Sequence, residues 1–501
     1  MRSDGPYFAA LDYGTGGGKC AIFDAAGKRL AVAREAWTYQ RIAYEHEQLM
    51  VGYGFDPHAF WSALGRCARQ AMEESGIAAS AVAGVAATAQ RLGTVLLDAR
   101  GREVYAAPNM DGRGLEGGFE VLEKLSLERA VRITGHWPPF VSSLARLLRF
   151  RKQTEQPKVA YVLTLNDWMT YRLCGALASE PSNAGESMLL DVGARGWSKE
   201  VLDLFEIDER LLPPVVEPGT PLGKLTDDAA AHTGLAAGTP VFAGGADTQC
   251  ALLGAGVFEE GHAAAVLGTT TPVMLAVSSA QFDPEGKLWT GCHARAAGWT
   301  LESNAGETGT AFEWLLALLG MNGDDVYERA ESLMQSRDGN LVTSFAGPHV
   351  FDLVNFDPNR PAGFLFRPPP LGERPGQGSF LHGFLAGIAY ATRANLEQIE
   401  AMRGGPALSL TLTGGMTRLP TLLAEFARTT RVPLLLSDEP HATALGAALL
   451  ASVGSRTHAD VDSAVRAMVR TRSIEVAGAE AGEADYGRWR ALYPEFLKLR
   501  T

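Results

Sequence analysis

One carboxylate in this chain stands where a turn from a strand into a helix is predicted. Asp247 follows an apolar stretch and the pair Gly244-Gly245, and a run of small residues comes after it. Paired glycines let the backbone turn sharply and let a bulky group come close. An aspartate at such a turn can cap the following helix, or it can accept a proton from a substrate hydroxyl. The local pattern leaves both roles open.

A second group of chemically useful residues lies in the glycine-rich stretch 12–19. Its four glycines and Thr15 predict a hairpin between two strands, whose backbone N–H groups can surround phosphate oxygens. Asp12, at the end of the first strand, is placed to hold a hydrated cation. The Gly-Lys-Ser/Thr ending of a Walker loop is absent, and the glycines alone are equally typical of a flexible hairpin.

Three further polar clusters interrupt apolar segments, at Gln90-Arg91, at residues 108–113 and at residues 182–187. Each cluster, taken alone, is more typical of a solvated loop than of a binding site. They become informative only if the fold brings them together.

The elements that must position these residues alternate between strands and helices. Strands are predicted at residues 7–12, 19–24 and 29–36, and a helix is predicted from Pro57, with Asp56 as its N-cap, to a stop at Gly76. The pattern of strand, glycine-hydroxyl turn and strand recurs at residues 261–277. The sequence therefore predicts two similar α/β domains, residues 1–243 and 244–501.

Composition excludes several classes of protein. A chain of 501 residues with a formal charge of −12 and no cluster of Lys and Arg is not expected to bind nucleic acid. No apolar run reaches the roughly 20 residues that span a bilayer, and the start of the chain does not resemble a signal peptide. We therefore expect a cytoplasmic protein without a membrane partner. The five scattered cysteines are expected to be reduced.

Taken in order, these motifs resemble those of the FGGY carbohydrate kinases. The resemblance covers nearly the whole chain and implies two ribonuclease-H-like, actin-like ATPase domains facing each other across a nucleotide and sugar cleft. It implies transfer of the terminal phosphate of ATP, with Mg²⁺, to a sugar hydroxyl. The first phosphate motif departs from the family pattern, since glycine stands at positions 16 and 17, where Ser or Thr is usual.

The resemblance also assigns roles to individual residues. Asp247 falls on the catalytic aspartate, and Asp12 and Asp247 are the expected metal-binding carboxylates. The expected ATP contacts are Gly14, Thr15, Lys19, Gly268, Thr269, Gly309, Glu313, Gly414, Gly415 and Leu419. The expected sugar contacts are Gln90, Arg91, Asn109, Asp111, Arg113, Asp247 and Thr248.

The substrate is predicted less closely. Leu92 replaces the histidine of the typical xylulokinase turn, and Asn109 stands where many members carry Trp. Together with Asn166-Asp167-Trp168 and residues 181–185, Asn109 looks most like the autoinducer-2 kinase branch. We expect a short, five-carbon ketose, either a xylulose-like pentulose or the autoinducer-2 hydroxy-dione.

Two alternatives stay open at this point. The first is a kinase of another polyol such as glycerol or erythritol. The second is a non-sugar ATPase of the actin or Hsp70 kind, which would not need the Gln90, Asp111 and Arg113 cluster. The expected partners are the sugar and ATP, and a homodimer is compatible with the sequence.

Overall fold

The computed structural model describes residues 5–153, 156–323, 325–335, 341–355, 360–367, 374–475 and 479–499. In residues 5–258 the strands are β1 (Tyr7–Tyr13), β2 (Gly17–Asp24), β3 (Arg29–Ala36), β4 (Gln40–Arg41), β5 (Tyr53–Gly54), β6 (Val82–Ala89), β7 (Thr94–Leu97), β8 (Glu103–Ala107), β9 (Tyr161–Thr164), β10 (Leu190–Asp191), β11 (Gly196–Trp197), β12 (Pro221–Lys224) and β13 (Pro240–Ala246). The helices are α1 (Pro57–Ser75), α2 (Leu115–Lys124), α3 (Leu127–Thr134), α4 (Ser143–Lys152), α5 (Leu165–Cys174), α6 (Pro181–Ala184), α7 (Lys199–Leu204), α8 (Asp227–Thr233) and α9 (Asp247–Gly254).

In the rest of the described chain the strands are β14 (His262–Val266), β15 (Pro272–Val277), β16 (Trp289–Cys292), β17 (Trp299–Asn304), β18 (Val342–Ser344), β19 (Phe364–Phe366), β20 (Ser409–Thr413), β21 (Leu434–Ser437) and β22 (Thr471–Ile474). The helices are α10 (Thr308–Leu318), α11 (Val326–Gln335), α12 (Gln377–Arg403), α13 (Pro420–Thr429), α14 (Ala442–Gly454), α15 (Val461–Met468) and α16 (Ala479–Phe496).

The chain folds into two compact units, each made of several segments. The first unit contains residues 1–258, 277–300 and 441–470, and the second contains residues 259–276, 301–440 and 471–501. Asp247 and the later helices α14 and α15 therefore lie in the first unit. The two units are each assembled from several segments and do not divide at one point of the chain. The boundary between residues 243 and 244 stays a prediction.

The first unit is built on a six-stranded mixed sheet in the order β12-β13-β6-β1-β2-β3. The hairpin β1–β2–β3 is antiparallel, β1 runs parallel to β6, and β6 runs parallel to β13. One side of β1 packs Leu11 with α1 and α5, and the other packs Phe8 with α14. Helices thus cover both faces of the sheet, and the carboxyl ends of β1, β6 and β13 meet at one edge.

The second unit repeats this arrangement with different residues. Its strands lie in the order β17-β15-β14-β20-β21-β22. The hairpin β14–β15 is antiparallel, β14 runs parallel to β20, β20 runs parallel to β21, and β22 closes the edge antiparallel to β21. The prediction of two similar α/β domains, each opened by a glycine-hydroxyl hairpin, is confirmed. Among the described helices, none is long and apolar enough to cross a membrane.

Candidate functional site

Asp247 lies where β13 ends and α9 begins, at the edge where β1 and β6 also end. It is the first residue of the helix, the N-cap position being Ala246, and its side chain is partly exposed. Its Oδ1 accepts a hydrogen bond of 2.7 Å from the N–H of Thr248. The Thr248 hydroxyl in turn donates to Oε1 of Gln249 over 2.9 Å. Asp247 therefore helps to satisfy the helix terminus and still reaches the surface.

The charges around Asp247 change its proton affinity. Burial and, to a smaller extent, the nearby Asp12 carboxylate raise the pKa of Asp247 to about 7. The Arg91 guanidinium, the Thr248 N–H and the Lys19 ammonium act in the opposite direction. A carboxyl group with this pKa holds and releases a proton near neutral pH, as a general base must.

Asp12 and Lys19 form an ion pair across the first hairpin. Lys19 Nζ donates to Asp12 Oδ2 over 3.0 Å, with Asp12 buried and Lys19 about one-third exposed. Asp12 and, more weakly, Asp247 raise the pKa of Lys19 although burial opposes them. The Lys19 cation thus lies near the carboxylates of both Asp12 and Asp247. The Gly14 N–H is used within the turn, where it donates to the Gly17 carbonyl over 3.0 Å.

Arg91 is held by two residues that the sequence did not single out as site residues. Its Nη1 donates to Oε1 of Glu186 over 3.1 Å, and its guanidinium lies 5.8 Å from the ring centroid of Trp289. The other Glu186 oxygen lies 3.2 Å from Nε2 of His136. Although burial opposes it, the cations Arg91 and His136 hold the pKa of Glu186 well below its usual range. Glu186 is therefore an anion that fixes Arg91.

Thr15, Gln90 and Asn109 form a hydrogen-bonded chain. The Thr15 hydroxyl donates to Oε1 of Gln90 over 2.9 Å and accepts from Nδ2 of Asn109 over 3.1 Å. Gln90 Nε2 continues the chain to the hydroxyl of Tyr39 over 2.8 Å. Thr15 was predicted to contact ATP, and the structure joins its hydroxyl to two residues predicted to contact the sugar. Its only hydroxyl proton is directed at Gln90.

Asp111 is buried and its carboxylate is occupied by protein donors. Oδ1 accepts from the N–H of Tyr53 and from Nε of Arg113, over 2.9 and 2.8 Å, while Oδ2 accepts from the hydroxyl of Tyr105. The Arg113 guanidinium also donates to the Tyr53 carbonyl over 2.8 Å. Arg146 Nε lies 3.7 Å from the same carboxylate. Direct sugar contacts by Asp111 and Arg113 stay predictions, and the observed contacts are those of a loop-organising pair.

In the second unit, the predicted phosphate turn meets the start of α10. The N–H of Gly309 donates to the carbonyl of Thr269 over 3.1 Å. A Cβ on Gly309 would lie 2.3 Å from the Gly268 carbonyl oxygen, so only glycine allows this approach. The Thr269 and Thr270 side chains are exposed. The turn therefore offers exposed hydroxyls that suit phosphate oxygens, whereas the first N–H groups of α10 are bonded to the carbonyls of Gly306 and Thr269.

The predicted adenine-side loop contacts the same turn. Gly414 has a φ of +102°, and a Cβ there would lie 2.5 Å from the carbonyl oxygen of Leu267. Gly415 and Glu313 are exposed. Leu419 is only 1% exposed, its N–H donates to the Met416 carbonyl, and its own carbonyl accepts from the Leu423 N–H. A contact of Leu419 with ATP stays a prediction. Four of the predicted ATP motif residues thus converge within the second unit: Gly268, Thr269, Gly309 and Gly414.

Sequence reasoning missed Glu186 and His136 as part of the site. Glu186 lies in one of the polar clusters, but its partner Arg91 is 95 residues away. His136 precedes the aromatic stretch Trp137-Pro138 and has no local motif around it. Long-range pairs of this kind leave no periodic signal in a single sequence.

Comparisons with known proteins identify the family. Two models, for the N-terminal and C-terminal domains of the FGGY family of carbohydrate kinases, match residues 7–254 and 263–455. The autoinducer-2 kinase of Klebsiella pneumoniae is 28% identical over 507 residues, covering 98% of this chain and 94% of the relative.

Solved structures share the fold at lower identity. The xylulose kinase of Rhodospirillum rubrum superposes with a TM-score of 0.81 at 23% identity, covering 98% of this chain and 99% of the other. The Plasmodium falciparum glycerol kinase with ADP gives a TM-score of 0.83 at 17% identity, covering 99% of both chains. Because the two family models together match most of its length, this chain belongs to the FGGY family of carbohydrate kinases.

Proposed function

We propose that this carbohydrate kinase transfers the γ-phosphate of ATP to a hydroxyl of a short, five-carbon ketose, with Asp247 as the proton acceptor. The proposal is based on the position and the charged surroundings of Asp247. This residue is a partly exposed carboxylate at the carboxyl edge of a parallel strand, with Arg91, Lys19 and Asp12 near enough to act on its charge. Edges of this kind are where α/β folds bind their ligands.

The raised pKa strengthens the role of Asp247 as a base. An ordinary aspartate, with a pKa of about 4, is a weak acceptor for an alcohol proton, and the sequence alone therefore favours an orienting role. With a pKa of about 7, Asp247 has a higher affinity for that proton and is still largely ionised slightly above neutral pH. Asp247 would then both orient the hydroxyl and accept its proton as the oxygen attacks phosphorus.

Cationic groups complete the proposed roles in the first unit. Arg91, fixed by Glu186 and Trp289, would donate to an oxygen of the ketose, and Lys19 would donate to a phosphate oxygen. In the second unit, the exposed Thr269 hydroxyl would donate to a phosphate oxygen. Phosphoryl transfer depends mainly on such positioning and charge stabilisation.

Asp12 and Asp247 fit a role in binding Mg²⁺. Their carboxylates repel each other, as the effect of Asp12 on the pKa of Asp247 indicates, and a divalent cation would relieve that repulsion. Within the described residues no group of three or more His, Cys, Asp or Glu side chains could hold a metal, so water and phosphate would supply the other ligands. The ion would offset the charge that develops on the phosphate oxygens.

The substrate assignment depends on neutral polar groups. Asn109, Gln90 and Thr15 form an uncharged network, and Oδ1 of Asn109 is buried with no hydrogen-bond partner among the described residues. A buried acceptor of this kind is stabilised by a hydroxyl donor, which a polyhydroxy substrate supplies. The autoinducer-2 kinase relative, similar over 98% of this chain, supports the hydroxy-dione as a candidate, and a pentulose is the second candidate. A cytoplasmic location and a homodimer stay predictions.

The experiment is ATP consumption with and without acceptors. The acceptors are xylulose, ribulose, the autoinducer-2 hydroxy-dione, glycerol and erythritol, each with ATP and Mg²⁺, and the products are analysed by mass. We expect one five-carbon ketose to give the highest kcat/KM and hydrolysis without acceptor to be slow. Faster turnover of glycerol or erythritol would favour the polyol kinase, and hydrolysis independent of every acceptor would favour the ATPase.

A further inference from the structure

A buried chain of hydrogen bonds ends at the residue before Asp247. The hydroxyl of Ser182 donates to Oε2 of Glu180 over 2.7 Å and accepts from the backbone N–H of Ala246 over 2.9 Å. The N–H of Ser182 also donates to Glu180 Oε2, over 2.8 Å. Ser182 and Glu180 are 1% and 2% exposed, so water cannot replace these bonds. The chain joins α6 to the last residue of β13.

The backbone at Gly245 permits this contact. A Cβ on Gly245 would lie 3.2 Å from the Ser182 hydroxyl oxygen and 3.1 Å from the sulfur of Cys250. Both separations are tighter than ordinary packing distances, so a side chain at position 245 would push Ser182 away from β13. The glycine next to the catalytic turn therefore makes room for Ser182.

The residues behind Ser182 form a fixed support. Asn183 donates through Nδ2 to Oδ1 of Asn166 over 2.7 Å, and Ser179 donates to Oδ2 of Asp167 over 2.7 Å. Burial raises the pKa of Glu180 to about 7 and that of Asp167 to about 6. Asn166, Asp167, Ser182 and Asn183 belong to the segments that resemble the autoinducer-2 kinase branch, and all four are buried. Their contacts indicate a structural support for the turn.

We propose that Ser182 is a positioning residue for Asp247, whose hydroxyl, aligned by Glu180, fixes the Ala246 N–H and so sets the direction in which the Asp247 carboxylate leaves the strand. The inference rests on the proposed role of Asp247 as the proton acceptor. Asp247 is the first residue after the fixed N–H, and a small rotation there displaces its carboxylate. Positioning errors of this kind reduce the chemical step more than they reduce ligand binding.

The test is a double-mutant cycle with Ser182→Ala and Asp247→Asn, measured as kcat and as KM for ATP with the best ketose. Ser182→Ala should lower kcat about fivefold to tenfold, the factor expected from one buried hydrogen bond, and leave the KM for ATP unchanged. In the Asp247→Asn background the same change should have little further effect on kcat, because the group it positions is gone. Ser182→Thr, which keeps the hydroxyl, should restore most of the activity.

Ser187→Ala is the matched control. Ser187 is also buried, donates to the Ala184 carbonyl and accepts from the N–H of Leu189 over 3.0 Å, but its contacts do not reach β13. Equal losses from Ser182→Ala in both backgrounds, or the same kcat loss from Ser187→Ala, would overturn the positioning role. Unchanged kcat in Asp247→Asn would instead overturn the proposed function. If Ser182→Ala does not fold, Ser182→Cys replaces the hydroxyl with a somewhat larger thiol that is a weak acceptor, and the same outcomes apply.

Discussion

Replacing Asp247 by Asn should make the protein more stable, by an amount that grows between pH 4 and pH 7 and is complete above pH 7. The folded protein raises the pKa of Asp247 to about 7, against about 4 in an unfolded chain. Below pH 4 the carboxyl is protonated in both states, so its titration contributes nothing to stability. As the pH rises from 4 to 7 the unfolded state loses the proton first, and folding becomes progressively less favourable. The Asn side chain does not ionise, so the variant does not lose this folding stability as the pH rises.

The expected gain in the free energy of unfolding can be calculated from the raised pKa of Asp247. Three pKa units correspond to a ceiling of about 4 kcal/mol, since each unit is about 1.4 kcal/mol. Asp247 is partly exposed, and water screens its charge, so we expect about 1 to 2 kcal/mol above pH 7 and less than half of that at pH 5. With an unfolding entropy of about 2.1 cal/mol/K per residue, that corresponds to a rise of roughly 1 to 2 °C in the unfolding midpoint of this 501-residue chain.

The assay is thermal unfolding of wild type and Asp247→Asn between pH 5 and pH 8 at constant salt. Asp228→Asn is the control, because it removes an exposed carboxylate from the first turn of α8. The difference between Asp247→Asn and wild type should grow with pH, whereas the control should show no such trend. A difference that stays constant with pH, or a variant that is less stable at pH 8, would refute the electrostatic account of Asp247.

The two hairpins and the Arg91 pair give further predictions. Thr269→Val should raise the KM for ATP severalfold and leave the KM for the ketose unchanged, whereas Thr15→Val should also raise the KM for the ketose, because it breaks the Gln90–Asn109 link. These KM values are measured by steady-state kinetics with each substrate varied in turn. If Thr15→Val raised only the KM for ATP, the predicted link of Thr15 to the ketose site would be contradicted. Glu186→Gln should lower stability by about 3 kcal/mol or more and raise the KM for the ketose, since it removes the buried anion that pairs with the largely buried Arg91. Glu200→Gln, which removes the partner of Arg129 from an ion pair in which both side chains are exposed, is the control, and an equal loss of stability from both would contradict the importance of burial.

Much of the fold could be predicted because local signals agree with it. The helix predicted from Pro57 to a stop at Gly76 is observed as Pro57–Ser75, with the Asp56 side chain capping the His58 N–H and Gly76 left-handed at a φ of 62°. The first hairpin strands also agree with the structure, within one or two residues at their ends. Caps, glycines and alternating apolar residues act over a few positions, so a single sequence reports them.

The interior of the site could not be predicted in the same way. Asp111 and Arg113 were assigned to the sugar from their motif, but their mutual contacts with Tyr53, Tyr105 and Arg146 depend on segments far apart in the chain. The pKa of Asp247 depends on burial and on charges from other segments, which no local pattern encodes. Residue type and spacing thus identify the candidate, and the folded environment determines its chemistry.

The most direct test of the account is phosphate transfer by Asp247→Asn. With the best ketose and saturating ATP and Mg²⁺, kcat should fall by about 10² or more, while nucleotide binding measured by calorimetry stays near that of wild type. The wild-type rate should rise with pH, reach half of its plateau near pH 7 and level off above it, as Asp247 loses its proton. A variant that retains near-normal kcat would contradict the assignment of Asp247 as the group that accepts the hydroxyl proton.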